Sequence, residues 1–251
     1  MKLFYFFSFY LVSVLLYAEN VKMQYNNFVY ISGGSYIPLF KEGDYTIVHN
    51  VNEFFIDTFF VTNIEYRKFI KNNIKWHNNK IKSVFSDANY LIHWSNFIFI
   101  QNSPVVNVSW YACDSYCKSY NKRLPVIDEW EYILQNYIDN DYIHQILNWY
   151  TKPIKDILCS RESVSNNYNY NYNVYGMSGI IWEWVEDFNS IIIIGSDSEG
   201  GDSEQLLFCG TAAVNSSNPS DYVAFMRFAF RSSLQAKYNI SSLGFRCVKN
   251  I

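Results

Sequence analysis

An uncharged apolar run near the start decides the setting in which the rest of this chain folds. Residues 3–17 carry no charge, and Lys2 is the only charged residue before Glu19. The run is shorter than the about 20 apolar residues a membrane helix needs. It matches the core of a secretory leader and ends at Leu16-Tyr17-Ala18. The expectation is a signal peptide over 1–18, cleaved after Ala18, and a single domain over 19–251. An uncleaved membrane anchor is the competing reading. No cysteine follows the run closely enough to serve as a lipoprotein site. Export to a periplasmic or secreted location places the five cysteines where disulfides persist. No later segment reaches span length without a charge or a proline, so no membrane span is expected in the mature chain.

The chain has 251 residues, of which 49% are hydrophobic, enough to bury one sizeable core. Ordinary glycine and proline content and low net charge argue against disorder, collagen and coiled coil. The formal charge of -3, with Lys and Arg scattered, leaves no basic footprint for nucleic acid. The 22 Tyr and 20 Phe are spread through every segment, which favours packing over base-stacking platforms.

Three short helices are signalled by their caps. Thr62 and Glu65 have the capping-box spacing, predicting a helix over 63–71 with Tyr66, Phe69 and Ile70 inward. Ser109 reads as an N-cap, and Trp110, Cys113, Cys117 and Tyr120 then share one face. After the break at Leu124-Pro125, Asp128 opens a third helix. Residues 28–31 and 53–61 read as strand, with Gly33-Gly34 as a turn, and 72–102 as irregular. The remainder is expected to be strand and loop. In particular, residues 222–231 alternate so that Val223, Phe225, Arg227 and Arg231 share one face of a strand. The Asn-Tyr tract 166–173 reads as a long loop, and the acidic stretch 195–204 as a solvated loop rather than a calcium loop. With no repeat and no linker, the chain reads as one α+β domain with much irregular structure.

Five motifs occur in order: Val61-Thr62-Asn63 with Glu65, Tyr66 and Phe69; Pro104-Val105 with Val108-Ser109-Trp110; and Lys122-Arg123-Leu124-Pro125 with Glu129-Trp130-Glu131-Tyr132. The last two are Tyr175-Gly176-Met177 with Gly179 and Trp182-Glu183-Trp184, and Leu243-Gly244-Phe245-Arg246-Cys247. Together they resemble the formylglycine-generating enzyme (sulfatase-modifying factor) family across nearly the whole mature chain. The resemblance implies a compact variant of the C-type-lectin-like fold.

The resemblance also supplies a chemistry to test. Active members bind Cu(I) through two cysteines and oxidise a substrate cysteine to formylglycine, and soft thiolates suit that ion. The corresponding positions here are Val223 and Phe228, with no cysteine between Cys209 and Cys247. Copper is therefore disfavoured and no catalytic residue is assigned. The resemblance pairs Cys117 with Cys247. Cys159 with Cys209 is a further candidate bridge, and Cys113 is then left as a small buried hydrophobe. A family calcium site maps to Glu183 with the carbonyls of Gly179 and Ile181. Its Asn ligand falls on Gly176, and an Asn usual just before the Trp-Glu-Trp segment is Ile180, so the site would be weak or absent, because calcium takes six to eight oxygens. Pairing of Glu183 with an arginine or a backbone amide is the alternative.

The residues give no local catalytic motif. His49, His77, His93 and His144 lack metal-ligand spacing, and there is no Gly-x-Ser-x-Gly or phosphate loop. Asn107, Asn215 and Asn239 lie in glycosylation sequons. The leading expectation is a non-oxidising module binding a peptide, a glycan or an envelope protein. The rivals are a divergent periplasmic oxidoreductase of the sulfatase- or siderophore-chromophore-maturation type, and a structural part of a cell-envelope assembly.

Overall fold

The computed structural model describes residues 28–38, 48–94, 101–137, 174–177, 179–189 and 219–251. The expected leader, Cys159, Cys209, His144, Asn215, the Asn-Tyr tract and the acidic stretch lie outside them. In chain order the elements are β1 (Phe28–Ile31), β2 (Gly34–Tyr36), β3 (His49–Val51), β4 (Phe54–Asp57), α1 (Asn63–Asn72), α2 (Trp110–Ser119) and α3 (Ile127–Tyr137). They continue with β5 (Trp182–Glu183), α4 (Pro219–Ser232), β6 (Leu243–Gly244) and β7 (Val248–Asn250). Short 3-10 turns at Ile74–Trp76 and Ile92–Trp94 punctuate the irregular stretch after α1.

The helices begin where their caps put them. Thr62 N–H donates to Glu65 Oε2 at 2.9 Å while Glu65 N–H donates to Thr62 Oγ1, a reciprocal box that starts α1. Tyr66, Phe69 and Ile70 then turn inward. Ser109 Oγ accepts from Ala112 N–H to start α2. The inward face of α2 is Ala112, Cys113, Tyr116 and Cys117, whereas Tyr120 is 46% exposed at the C-cap. The predicted stripe therefore drifts outward by its last member. At α3 two carboxylates take the first N–H groups: Glu129 accepts from Val126 and Asp187 from Ile127, at 2.9 and 2.8 Å.

β4 is the middle strand of an antiparallel sheet in the order β1-β4-β7, with Phe28 opposite Asp57 and Phe54 opposite Asn250. β2 and β3 form a separate antiparallel pair, and β5 runs parallel to β6 with Trp182 opposite Leu243. The segment 243–248 gathers the rest. Phe245 C=O accepts from Val61 N–H, Cys247 C=O from Asp57, Gly244 C=O from Trp184, and Val248 exchanges two bonds with Arg123. A side chain at Gly244 would collide with Val105 C=O and the Ile181 side chain, so close approach requires glycine here. Cys117 and Cys247, the pair the resemblance names, are joined by a disulfide with Cα atoms 5.8 Å apart. Cys113 is a buried free thiol beside them.

One expectation is corrected. Residues 222–231 lie within helix α4 rather than in a strand. Val223, Arg227 and Arg231 still share a buried face, because a spacing of four residues returns to one side of both a helix and a strand. Among the described residues, no helix is long and apolar enough to cross a membrane.

Candidate functional site

Trp130 and Glu131 of α3 reach β5 and α4. Arg246, wholly buried, donates from Nε and Nη2 to the two oxygens of Glu183, each at 2.8 Å. Its Nη2 also reaches Tyr175 C=O at 2.9 Å. Trp130 Nε1–H donates to Glu183 Oε2 at 3.2 Å. Glu183 thus accepts three N–H groups, which is what a buried carboxylate requires.

The other side of Trp130 carries positive charge. The guanidinium carbons of Arg227 and Arg231 lie 5.7 and 4.8 Å from its ring centroid. Both arginines hold Glu131: Arg227 by Nε at 3.1 Å and Nη2 at 2.8 Å, Arg231 by Nη1 at 2.6 Å. Burial pushes the Glu131 carboxyl up, but the two guanidinium charges outweigh it and hold the group at about 2.

At the start of α3, Asp128 accepts from Tyr36 OH at 2.6 Å and faces His49 Nδ1 at 3.0 Å, clasping both strands of the β2-β3 pair. Burial and the Asp128 bond push the Tyr36 hydroxyl far above its ordinary value, so it stays a donor. At the end of β4, Lys122 Nζ donates to Asp57 Oδ1 at 2.7 Å, and Asp57 Oδ2 accepts from Cys247 N–H. Near α1, Asn63 Oδ1 accepts from Trp94 Nε1 at 2.8 Å and lies 3.0 Å from His93 Nε2. Burial lowers His93 to about 4.

These placements test the residues singled out in the sequence. Val223 and Phe228 both lie on α4, Val223 buried and Phe228 partly so. Hydrocarbon side chains offer copper no donor, so the residues do not fit that ion. Gly179 and Ile181 are buried beside Glu183, but Glu183 already serves Arg246 and Trp130. A calcium ion there would compete with the Arg246 guanidinium and the Trp130 N–H for the Glu183 oxygens. Gly176 has a φ of 69°, a left-handed position that glycine takes without strain. Burial raises the Cys113 thiol well above its ordinary value, which leaves it without thiolate character. Among the described residues, no group of three or more His, Cys, Asp or Glu is arranged to hold a metal.

The Glu131 clamp went unseen in the sequence because its partners lie 96 and 100 residues away. The available signal was the four-residue spacing of Arg227 and Arg231, which puts both on one helical face.

Comparison with known proteins fits this arrangement of motifs. The Sulfatase-modifying factor enzyme 1-like domain family matches residues 15–251. The formylglycine-generating enzyme of Streptomyces coelicolor is 25% identical over 171 residues, covering 59% of this chain and 53% of that protein. The mouse formylglycine-generating enzyme is 26% identical over 178 residues, 61% of this chain and 46% of that protein. The serine/threonine-protein kinase pkn1 of Chlamydia pneumoniae is 26% identical over 246 residues, 89% of this chain and 38% of that protein. The chain thus spans about half or less of the curated relatives it matches. With the family matched over nearly its whole length, and with the shared motifs meeting at residues 243–248, the chain belongs to the sulfatase-modifying factor enzyme 1-like family.

Proposed function

We propose that this chain is an exported, formylglycine-generating-enzyme-like module that binds a peptide or protein partner without oxidising cysteine. One observation carries the reading: the two positions that correspond to the copper thiolates hold Val223 and Phe228 on a helix pinned by Arg227 and Arg231 to Glu131. A thiolate pair is the centre of the family chemistry, and hydrocarbon cannot replace it. The disulfide Cys117–Cys247 agrees with an oxidising compartment. The names of the relatives in Streptomyces and mouse give the parent activity, which this reading takes as lost. The C-type-lectin-like architecture expected of the family provides a surface on which an extended peptide is recognised.

The test incubates the purified protein with copper, oxygen, a reductant and a cysteine peptide of the sulfatase type. Mass spectrometry then looks for the aldehyde product, with elemental analysis for bound metal. No aldehyde and no stoichiometric copper supports the binding module. Aldehyde formed with stoichiometric copper overturns it.

A further inference from the structure

Lys and Arg are not evenly spread along this chain. Residues 66–86 hold six of its 20 Lys and Arg and none of its 23 Asp and Glu, so the other 14 cations face all 23 anions. The stretch covers most of α1, the 3-10 turn at Ile74–Trp76 and the turns that follow. Lys68, Lys71, Lys75, Lys80 and Lys82 are all exposed, and none makes an ion pair among the described residues. The carboxylates that flank the stretch in sequence have other work: Glu65 closes the cap of α1, and Asp87 accepts from the N–H groups of Asn89 and Asn239. Apolar side chains stand among these lysines, with Ile74 68% exposed, Val84 64% and Phe85 39%. The chain folds back on itself here, because Ile74 C=O accepts from His77 N–H, His77 C=O from Lys80 and Ile81, and Lys82 C=O from Phe85. The Phe85 ring thereby comes within 5.8 Å of the Trp76 ring, over which Lys75 Nζ lies at 5.2 Å. Trp76 is buried, and its Nε1–H donates to Ser115 Oγ at 2.8 Å, which anchors the base of the excursion to α2.

Three kinds of partner carry the negative charge that such a surface attracts. Protein interfaces are depleted of lysine, which argues against an acidic protein. Single-stranded nucleic acid is held by stacking on open aromatic faces. Here Trp76 is buried, and Phe85 packs T-shaped against both Trp76 and Tyr111. A lipid surface with anionic headgroups takes both features at once. Aliphatic side chains enter the boundary of the acyl region, and lysines lay their stems along it with the ammonium among the headgroups. We propose that residues 68–85 dock this domain on an anionic membrane surface, with Ile74, Val84 and Phe85 entering the bilayer interface and the five lysines meeting headgroup phosphates. The surface stands whether or not the domain oxidises cysteine, because it uses none of the copper positions.

The experiment mixes the full chain with vesicles of phosphatidylcholine alone, with vesicles of phosphatidylcholine and phosphatidylglycerol in equal parts, or with a poly-glutamate peptide. Lysines are then acetylated and mapped by mass spectrometry, a readout per residue that binding by residues 1–18 does not supply. The mixed vesicles are expected to protect Lys71, Lys75, Lys80 and Lys82, to leave the exposed Lys249 unchanged, and to lose this effect in high salt. Replacing Lys68, Lys71 and Lys75 by Gln should weaken docking about a hundredfold, at about fivefold per lysine, read as lost protection of Lys80 and Lys82 at the same lipid concentration. Ile74→Ser with Val84→Ser should also reduce that protection, since it removes the apolar contact and keeps the charge. All five replaced side chains are exposed, and near-ultraviolet circular dichroism checks that each variant is folded. Protection by poly-glutamate but not by vesicles makes an acidic protein the partner and overturns the proposal. So do no protection by the mixed vesicles, equal protection by phosphatidylcholine alone, protection that extends equally to Lys249, and undiminished protection in either folded variant.

Discussion

Arg246 and Glu183 meet as a fully buried ion pair, bonded twice at 2.8 Å, with neither side chain exposed. Such a pair gains little over apolar residues of equal volume, but removing one member strands the other charge. Glu183→Ala is expected to cost about 3–5 kcal/mol in urea unfolding. The double variant Glu183→Leu with Arg246→Met should recover a large part of that loss. A single-variant cost below about 1 kcal/mol contradicts the pairing.

The cross-link Cys117–Cys247 spans 130 residues. In the chain-entropy model a loop of that length contributes about 5 kcal/mol, since it restricts the unfolded chain far more than the folded one. Replacing both cysteines by alanine should lower the urea midpoint accordingly. An unchanged midpoint would show that the unfolded chain is already compact in this region. Cys113→Ala, by contrast, should leave the disulfide content unaltered in a thiol assay.

Glu131 gives the fold an acid-sensitive fastening. Its folded-state value of about 2 lies below the ordinary carboxyl value, so its stabilisation is fully present above about pH 4.5 and is lost as pH falls towards 2. The difference is on the order of 3 kcal/mol. Stability of the wild type measured between pH 5 and 2 should fall more steeply than that of Glu131→Gln. Parallel curves would remove the clamp from the account.

Asn239 ties three segments together. Its Nδ2 donates to Asp87 Oδ1 at 2.7 Å and Ser86 Oγ at 2.8 Å, while Asn107 Nδ2 donates to the Asn239 carbonyl. Asn239→Asp would set a carboxylate against that of Asp87 in a buried place, and thermal melts should show a loss of about 2 kcal/mol or more. Asn107 and Asn239, two of the three sequon asparagines, are nearly inaccessible. Enzymatic glycosylation of the folded protein should leave Asn107 and Asn239 unmodified in a peptide map.

Local chemistry was legible in the sequence, and long-range chemistry was not. Thr62 with Glu65, and Ser109 ahead of α2, announce helix starts because a cap and its target lie three residues apart. The sequence around Arg227 misleads, since hydrophobic and basic residues that alternate also repeat every four positions, and both periods leave 223, 227 and 231 together. In the helix Arg227 and Arg231 both reach Glu131, nearly a hundred residues earlier in the chain. Glu183 shows the same limit: its need for a partner was evident, but only the fold names Arg246. The clasp of Tyr36 and His49 on Asp128 had no signal in the sequence, as three residues on separate elements share no spacing.

Residues 243–248 join segments that are all made before them. Asp57 waits for Cys247, Val61 for Phe245 and Arg123 for Val248, so until that short stretch leaves the ribosome the central sheet lacks β7 and the buried Glu183 lacks its counter-charge. Contacts of such large sequence separation close slowly. Until then the aromatic interior stays half-assembled, and this is the interval in which chaperone binding has most to protect.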